Sequence, residues 1–576
     1  MAWYDEAIFY HIYPLGLCDA PKENTYAAVV HRLNEALPWI AHIKKIGCNA
    51  IYIGPLFESV GHGYETTDYK KLDSRLGDNA DLTNFVKECH AQDIKVIFDG
   101  VFNHVGRDFF AFKDLLANRE GSPYRDWFCN VNFGGNNEYN DGFCYDNWGG
   151  YNLLVKLNQH NPDVKNYICD VIRFWVSEFD VDGIRLDAAD VLDFDYMHML
   201  RAVANEVKPD FWLMGEVIHG DYSRWVNGDT LHAVTNYALH KALYSGHNDH
   251  NYFEIAHTIK RLYEMGGNRP DGLKLYNFVD NHDVERIYTK LNNKAHFAPV
   301  HVLLYTLPGV PSIYYGSEFG IEGRKEKFSD ASLRPALKYE DYADATETNS
   351  FTKLIAALGT ARRNAPALSY GSYRELMLTN RQYAFARELD GQSVIVTVNN
   401  DDNAADFHVS AGNGTAYVGA LSGAHVSAEG GQLHVNVSAN SGEIWLPETN
   451  AVSADTTEKE PVVLHVNDAA ADILTKHAQA ETPAETDSAN NSAPKSAHTE
   501  SAQTDSASST GHPASQQSHT APDKDSDAFE RGRIAGLQEA ILAIMEKNGP
   551  VTDQMRRDVE NNVYHDSLIS WVKSFR

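Results

Sequence analysis

Positive charge is scarce in this sequence. The 576 residues include 50 Lys and Arg against 79 Asp and Glu, which gives a formal net charge of −29, and the basic residues form no long run. A nucleic-acid partner is held largely by basic side chains that contact its phosphates. The composition therefore predicts no nucleic-acid partner and fits an uncharged substrate better.

Long apolar runs are missing as well. No stretch reaches the ~20 consecutive apolar residues that a membrane-spanning helix needs, so we expect no membrane partner. The first residues, MAWYDEAIFYHIYPLG, lack the basic start and the small-residue cleavage site of an export signal. They are predicted to form a first strand, and the protein is predicted to be cytoplasmic.

Cysteine is rare and scattered. Six cysteines lie in the first third of the chain and none has Cys-x-x-Cys spacing, which argues against a metal knuckle. In a reducing compartment we expect them to be buried free thiols. A disulfide between Cys129 and Cys144 is the less favoured alternative.

Short β-rich runs alternate with longer helical patterns from about residue 6 to about residue 320, which is typical of parallel βα units. Eight such runs are present: Ala7–Tyr13, Ala50–Gly54, Lys95–Phe98, Gly183–Leu186, Phe211–Gly215, Ala233–Asn236, Tyr276–Val279 and Ser312–Tyr315. Eight units close into a (β/α)8 barrel with its active site at the carboxyl ends of the strands. The predicted fold class is therefore α/β.

The chain divides into four predicted segments. Residues 1–365 are the barrel, with a long insert rich in Gly, Asn, Tyr and Trp at about 104–158, after the third strand. Residues 366–447 alternate apolar and polar positions between turns, which predicts an antiparallel β domain. Residues 448–527 are too polar to bury a core and are predicted to be a disordered linker. Residues 528–576 recover helical periodicity and are predicted to form a helical hairpin.

The predicted hairpin has two interpretations, because an amphipathic pair of helices does not stand alone easily. It either packs on the enzyme as an appendage or tethers the chain to itself or to a partner. The sequence favours neither interpretation over the other.

Four predicted strands end in polar residues. They are Asp99–His104 after the third strand, Gly183–Asp187 at the fourth, Gly215–Glu216 at the fifth and Phe278–Asp283 at the seventh. A single charged residue at a strand end is usually a solvated surface group. Barrel geometry makes these four ends converge, however, so together they predict one active site.

Asp187 and Glu216 suit the cleavage of a glycosidic bond. Retention of anomeric configuration needs a carboxylate nucleophile and a second carboxyl group that donates and then accepts a proton. Arg185 lies two residues before Asp187 on the same side of the strand, where its charge favours an ionised nucleophile. Glu216 follows the apolar run Phe211–Gly215, and burial there favours the protonated carboxyl group of a general acid.

Asp283 and two histidines complete the predicted site. Asp283, beside His282, is suited to bind sugar hydroxyls and to favour an oxocarbenium-like transition state. His104 is suited to the same task from across the site.

The stretch from about Ala7 to Pro447 resembles glycoside hydrolase family 13, the α-amylase family. The four strand ends look like four signatures of that family in identity, order and spacing, and Gly63–Tyr69 and Gly309–Gly316 are similar to two further ones. The resemblance implies retaining hydrolysis of α-glucosidic, mainly α-1,4, bonds in maltodextrins or related α-glucans.

The resemblance also assigns roles. It implies that Asp187 is the nucleophile, Glu216 the general acid/base and Asp283 the transition-state stabiliser. Four further residues would shape the subsite for the glucose that is attacked: Tyr64, His104, Arg185 and His282. The flat ring of Tyr64 would stack on a sugar face.

The insert suggests a subgroup of the family. Val155–Asn158 looks more like the Pro-Lys-Leu-Asn form of the neopullulanase and cyclomaltodextrinase group than the Pro-Asp-Leu-Asn form of oligo-1,6-glucosidases, and Gly215–His219 points the same way. This implies short maltodextrins, cyclic or branched ones included, as substrates. The insert would be the family's domain B and residues 366–447 its C-terminal β domain. The extra N-terminal β domain common in that group does not precede the first predicted strand.

Two departures from the family concern calcium and specificity. Asn103 matches a position that ligates structural calcium in many relatives, but Lys156 stands where several of them place an Asp ligand. A cation there repels Ca²⁺, so we predict no metal at this position and no cofactor. Asp190 and Val191 stand where many α-amylases carry Lys and His on the leaving-group side, which bears on starch-type specificity.

Two alternatives to hydrolysis stay open at this point. A sugar hydroxyl can capture the glycosyl-enzyme intermediate instead of water, which would make the protein an α-glucan transglycosylase. A catalytically silent relative would be a glucan-binding scaffold that uses the hairpin for attachment. The intact set of carboxylates argues against the scaffold.

Overall fold

Eight parallel strands form the centre of the structure. The computed structural model describes residues 2–266, 273–327, 329–448 and 462–469. We number the barrel strands in chain order: β1 Phe9–Ile12, β2 Ala50–Ile53, β3 Lys95–Gly100, β4 Gly183–Leu186, β5 Trp212–Gly215, β6 Ala233–Val234, β7 Tyr276–Asn277 and β8 Val310–Tyr314. Both ends of every strand lie within two residues of the predicted run, so the eight predicted strands are confirmed.

The strands curve into a barrel. Their order is β6-β5-β4-β3-β2-β1-β8-β7, and all neighbours are parallel. Thr235, which follows β6, forms a parallel bridge with Tyr276 of β7 and so joins the two edge strands. The predicted (β/α)8 barrel is therefore confirmed.

Helices surround the barrel strands. The helices of the described residues are Pro14–Leu17, Trp39–Lys45, Asn79–Ala91, Phe110–Asn118, Pro162–Phe179, Phe194–Val207, Tyr237–Asn248, Tyr252–Met265, Ile287–Lys290, Phe297–Thr306, Ala345–Thr348, Ser350–Asn364 and Ala367–Tyr370. Pro162–Phe179 illustrates why they form. Asn161 caps it by accepting a hydrogen bond from the Asp163 N–H at 2.8 Å, and one stripe that includes Ile168 and Trp175 is buried.

An insert follows β3, as the sequence predicts. Its strands His104–Gly106, Asn147–Trp148 and Tyr151–Lys156 form a three-stranded antiparallel sheet. A smaller two-stranded sheet, Phe57–Ser59 with Thr66–Leu72, follows β2. Both small sheets come directly after barrel strands, so they build the rim around the carboxyl ends of the barrel.

An antiparallel β domain follows the barrel, which confirms that part of the predicted fold. Its strands are β9 Ser372–Leu378, β10 Gln382–Leu389, β11 Gln392–Asn399, β12 Ala405–Ser410, β13 Ala416–Gly419, β14 His425–Ser427, β15 Gln432–Val437 and β16 Ser441–Pro447. Six of these strands form one sheet, while β12 and β15 form a second. A separate apolar core that includes Phe407, Leu433 and Trp445 holds the two sheets together.

A short segment beyond the β domain contacts the barrel. Within residues 462–469, the His465 N–H donates to Ser350 Oγ at 2.8 Å. These eight residues fall inside the stretch 448–527 that is predicted to be a linker. The rest of that stretch, and the predicted hairpin at 528–576, lie outside the described residues.

Two general features concern the environment of the chain. The part of the chain that the structure describes contains no helix long and apolar enough to cross a membrane. All six cysteines carry free thiols, as expected. Four of them are buried, namely Cys18, Cys48, Cys89 and Cys169, whereas Cys129 and Cys144 are half-buried, contrary to the expectation.

Candidate active site

Asp187, Glu216 and Asp283 lie at the same end of the barrel. Asp187 follows β4 directly, Glu216 follows β5 directly, and Asp283 lies in the loop after β7. Main-chain hydrogen bonds continue the sheet past the strand ends: the Asp187 N–H donates to Gly100 O at 3.0 Å and the Glu216 N–H to Leu186 O at 2.9 Å. The backbone therefore places the three carboxyl groups around one opening.

The backbone beside Glu216 is tightly packed. A Cβ atom at Gly215 would lie 2.5 Å from Cδ1 of Leu231, so a larger residue does not fit directly before Glu216. Ala188, which follows Asp187, has a left-handed conformation with φ of 46°. Its N–H donates to Glu216 Oε2 at 3.2 Å, so the turn after the first carboxylate orients the second.

One guanidinium contacts three carboxyl groups. Arg185 is 3% exposed, and its Nη1 lies 2.8 Å from Asp99 Oδ1 and 3.0 Å from Asp187 Oδ1, while its Nη2 lies 2.7 Å from Glu216 Oε2. Burial raises the pKa of Asp187, Arg185 opposes that shift, and the charge of Glu216 adds to it. Burial and the neighbouring carboxylates therefore outweigh Arg185, which is contrary to the expectation that its charge favours an ionised Asp187.

Asp283 has the opposite balance. Burial acts to raise its pKa, but His282 and Arg334 outweigh burial and hold the pKa of Asp283 well below its usual range. His282 Nε2 lies 3.0 Å from Asp283 Oδ2, and Arg334 Nη2 lies 2.9 Å from Oδ1. Asp283 is thus an ionised carboxylate at neutral pH.

Tyr64 and His282 form one wall of the site. Their rings stack with centroids 5.6 Å apart and planes 12° apart, and the Tyr64 hydroxyl is hydrogen-bonded to His282 Nε2. The same hydroxyl donates to Asp99 Oδ2 at 3.1 Å, and the Tyr52 hydroxyl donates to that oxygen at 2.7 Å. Asp99 therefore links this wall to Arg185 and the other carboxyl groups.

His104 is held in the sheet of the insert. It is 1% exposed, and its ring lies nearly parallel to that of Trp148, with planes 7° apart and centroids separated by 6.3 Å. Burial lowers the pKa of His104 to about 3, so the imidazole is neutral at pH 7. Its Nε2 is buried and has no hydrogen-bonding partner among the described residues. A neutral imidazole of this kind can exchange hydrogen bonds with a sugar hydroxyl.

Six of the seven predicted site residues form one connected network with Asp99, which contacts Tyr64 and Arg185 directly. The seventh residue, His104, lies on the insert that follows β3, the strand of Asp99. The six are Tyr64, Arg185, Asp187, Glu216, His282 and Asp283. The roles assigned to them from the sequence stay predictions, because geometry places the groups together without showing a reaction.

Sequence reasoning missed two residues that contact the site. Arg334 contacts Asp283, and the Tyr237 hydroxyl donates to Glu216 Oε1 at 3.4 Å. Both residues lie outside the signatures that the sequence revealed. Tyr237 comes three residues after β6, and the end of this strand carries no recognised motif. Its position just beyond a barrel strand was the one feature of the sequence that could have pointed to a role in the site.

The Asn103 side chain is already engaged within the protein. Its Oδ1 accepts a hydrogen bond from Gln159 Nε2 at 3.0 Å, and Lys156 lies opposite His104 in the sheet of the insert. The amide oxygen and the nearby cation are consistent with the prediction that calcium does not bind here, which stays a prediction.

An eight-stranded parallel barrel with Asp187, Glu216 and Asp283 around the opening at its carboxyl ends is an arrangement typical of glycoside hydrolases. Residues 35–365 match the α-amylase catalytic domain, and residues 373–442 match the C-terminal domain of maltogenic amylase. The chain belongs to the α-amylase family.

Individual relatives confirm the subgroup. The chain is 34% identical over 368 residues to a cyclomaltodextrinase of Thermoanaerobacter pseudethanolicus, which covers 63% of this chain and 62% of that protein. It is 28% identical over 362 residues to an intracellular maltogenic amylase of Bacillus subtilis, covering 62% and 60%. A solved cyclomaltodextrinase structure superposes with a TM-score of 0.67 at 26% identity, covering 77% and 78%. The chain spans about three fifths of the length of the first two relatives.

Proposed function

We propose that the protein hydrolyses α-glucosidic, mainly α-1,4, bonds in maltodextrins and related α-glucans, with retention of anomeric configuration. The observation that carries this proposal is the shared contact of Asp187 and Glu216 with Arg185. Two carboxyl groups on neighbouring nitrogens of one guanidinium are compatible with the roughly 5 Å separation found in retaining glycosidases. Relatives named cyclomaltodextrinase and maltogenic amylase support maltodextrins as the substrate class.

For the first step, we place the one proton of the Asp187 and Glu216 pair on Glu216. A carboxylate oxygen of Asp187 then bonds to the anomeric carbon while the glycosidic C–O bond breaks. Glu216 gives its proton to the departing oxygen, which leaves as a sugar hydroxyl. Asp187 loses its charge as the ester forms, and Glu216 becomes ionised at the same time. Arg185 contacts both groups. It is therefore paired with one negative charge before the step, on Asp187, and with one after it, on Glu216.

In the second step, Glu216 takes a proton from water, and the water oxygen bonds to the anomeric carbon. The bond to Asp187 breaks, and its electron pair returns to the carboxylate. The product keeps the configuration of the substrate because the two displacements each invert it. Both carboxyl groups regain their starting protonation states.

The remaining predicted residues act on the sugar that is attacked. Asp283, ionised because of His282 and Arg334, lies where it stabilises positive charge on the oxocarbenium-like transition state. The ring of Tyr64 stacks on a face of the same sugar, and His104 exchanges hydrogen bonds with its hydroxyls. The positions of these residues around one opening, the ionised state of Asp283 and the neutral state of His104 support these roles.

We also propose that the protein acts in the cytoplasm. Its six cysteines are free thiols, a state that a reducing compartment preserves. One of the relatives is named an intracellular maltogenic amylase.

Product analysis tests the proposed function. Purified protein is incubated separately with maltoheptaose, β-cyclodextrin, pullulan and starch, and the products are resolved by size. NMR spectra recorded before the new reducing ends mutarotate identify their anomeric form. We expect short malto-oligosaccharides whose new reducing ends are α-anomers. Release of no sugar from any of the four glucans contradicts the proposal, and a β-anomer contradicts the role of Asp187 as nucleophile. In a further incubation with maltotriose at high concentration, products longer than maltotriose favour a transglycosylase.

A further inference from the structure

Two histidine side chains face each other on the antiparallel β domain. His408 of β12 and His434 of β15 are direct partners in the two-stranded sheet, and directly opposed residues of an antiparallel pair project from the same face. Their Nδ1 atoms lie 2.5 Å apart, and the rings meet edge to face with centroids 4.5 Å apart and planes 83° apart. Two ring nitrogens therefore converge on one point of the surface.

Both rings lie on the outer face of the sheet. Phe407 and Leu433, which precede the two histidines in the chain, are buried in the apolar core of the β domain, whereas His408 and His434 are exposed. In the part of the chain that the structure describes, neither ring is hydrogen-bonded to any residue except the other. The two side chains can therefore turn slightly without breaking a further hydrogen bond.

Facing imidazole nitrogens suit a transition-metal ion. In a neutral pair, one Nδ1 carries a proton and donates it to the lone pair of the other. When that proton moves through solvent to Nε2 of its own ring, both Nδ1 lone pairs become free to bind one ion, and no net charge is gained or lost. Metal–nitrogen bonds of about 2.0–2.1 Å place neighbouring ligand nitrogens roughly 2.9–3.3 Å apart. The nitrogens of His408 and His434 need to separate by less than about 1 Å to reach this geometry.

The charge around the pair favours a cation. Residues 389–448 contain seven Asp and Glu but no Lys or Arg, so this stretch brings no basic side chain to compete with an ion. Asp406 lies two residues before His408 on the same face of the sheet, and its Oδ1 accepts a hydrogen bond from Asn436 Nδ2 at 2.8 Å. A carboxylate beside the two rings attracts a divalent ion and can contact it through a bridging water.

We propose that His408 and His434 form a surface site for one divalent transition-metal ion. Imidazole nitrogen suits Cu²⁺, Ni²⁺ and Zn²⁺, with Cu²⁺ held most firmly, whereas Ca²⁺ and Mg²⁺ prefer oxygen ligands. Two protein ligands hold an ion less firmly than the three or four of a permanent zinc site. The ion therefore exchanges with solution and is not needed for the fold. This site is separate from the Asn103 position, and it does not depend on the proposed function.

The test titrates the full-length protein with Cu²⁺ bound to iminodiacetate, a chelate that leaves room for two further nitrogens and so prefers a paired site to a single histidine. Calorimetry measures the affinity in wild type, H408Q and H434Q. We expect each variant to weaken binding at least about tenfold, because even the outer partners of a metal ligand are worth that much. The EPR spectrum of the bound Cu²⁺ should show coupling to ring nitrogen in wild type and lose it in both variants.

Two control variants change other exposed histidines. His425 is on the same β domain, where its Nδ1 lies 2.6 Å from Glu448 Oε1. His31 lies with Asp78 and Asp81, and the ligand atoms of these three residues are within 4.8 Å of one another. H425Q and H31Q should keep the affinity within about twofold of wild type, since neither residue belongs to the pair.

The outcomes decide between the pair and other ligands. Wild type that binds no Cu²⁺ chelate overturns the site, and so does wild-type affinity in both H408Q and H434Q. Loss of binding in H31Q alone also overturns it, because the ion is then held by the acidic cluster around His31. Thermal unfolding checks the fold of each variant, and hydrolysis of maltotriose should be unchanged in all four because none of these histidines is in the candidate active site.

Discussion

The two ends of the barrel interior differ in what fills them. At the amino ends, aromatic rings pack together: Phe9 stacks on Trp212 with centroids 5.1 Å apart, and Tyr276 meets Phe9 edge-on. At the carboxyl ends, Arg185 holds three carboxyl groups. Burying rings stabilises the fold without needing partners, whereas burying charges costs free energy that function must justify. The amino ends of the strands therefore serve stability, and the carboxyl ends serve chemistry.

The largest effect is expected at the catalytic end. D187N removes the nucleophile, so kcat on maltoheptaose should fall by about 10⁴-fold or more. The free energy of unfolding should stay the same or rise, because Asp187 is a buried carboxyl group whose pKa burial raises. Turnover and urea unfolding of the same preparation measure both quantities. D93N changes a 94% exposed carboxylate and is the matched control; undiminished turnover in D187N contradicts the assignment.

The opposite pattern is expected at the amino ends. W212A leaves a cavity among packed rings, and the free energy of unfolding should fall by about 3–5 kcal/mol. The kcat of the protein that remains folded should change by less than roughly threefold, since Trp212 lies at the far end of β5 from Glu216. F253A, at an exposed ring, should change stability by less than about 0.5 kcal/mol. A large loss of kcat with unchanged stability in W212A breaks the comparison.

A smaller effect is expected at Arg334. R334M removes the guanidinium that lies 2.9 Å from Asp283, so the pKa of Asp283 should rise towards its ordinary value. The active form needs Asp283 ionised, and activity should therefore be lost at a higher pH on the acid side. We expect kcat/KM to fall roughly 10- to 100-fold at neutral pH. R334K keeps a charge and should restore part of the loss; an acid limb that does not move in R334M contradicts this role.

Ionisation away from the active site should cost stability alone. Burial lowers the pKa of His240 and of His247 to about 3 and that of His301 to about 4, against ~6.5 in an unfolded chain. Above pH 6.5 neither state binds these protons; below it the unfolded state binds them first, so stability falls as pH falls towards 4. At pH 5.5 each histidine should cost about 1.4 kcal/mol.

Urea unfolding at pH 7.0, 6.0 and 5.0 measures this dependence. In H240Q, proton uptake on unfolding should fall by about one at pH 5 relative to wild type. The same slope in both proteins argues that His240 is already protonated in the folded state.

The smallest effect is expected from chelation. Lys156 lies in the insert opposite His104, and Asn103 Oδ1 is bonded to Gln159, so a chelator should leave the melting temperature unchanged. A clear drop that added calcium reverses contradicts the prediction of no metal at Asn103.

Much of the fold was predictable because each barrel strand is a short β-rich run that can be recognised from its own residues. The strands β6 and β7 end two residues earlier than predicted, since pairing with neighbouring strands, and not the local sequence, ends a strand. The antiparallel β domain was predictable from its alternating pattern in the same way.

The candidate site was predictable in its motifs but not in its connections. Arg185 was expected to serve Asp187, and the structure shows that it also contacts Glu216 and Asp99. Asp283 and Arg334 follow the neighbouring strands β7 and β8 and lie 51 residues apart in the chain, so no local spacing encodes their contact.

The central claim is that Asp187 forms the covalent bond to the sugar. Incubation with a 5-fluoro-α-glucosyl fluoride, which slows the second step, followed by proteolysis and mass spectrometry, tests it directly. We expect one added glycosyl group on the peptide that contains Asp187, and none in D187N. A glycosyl group on Glu216 or Asp283 would contradict the account.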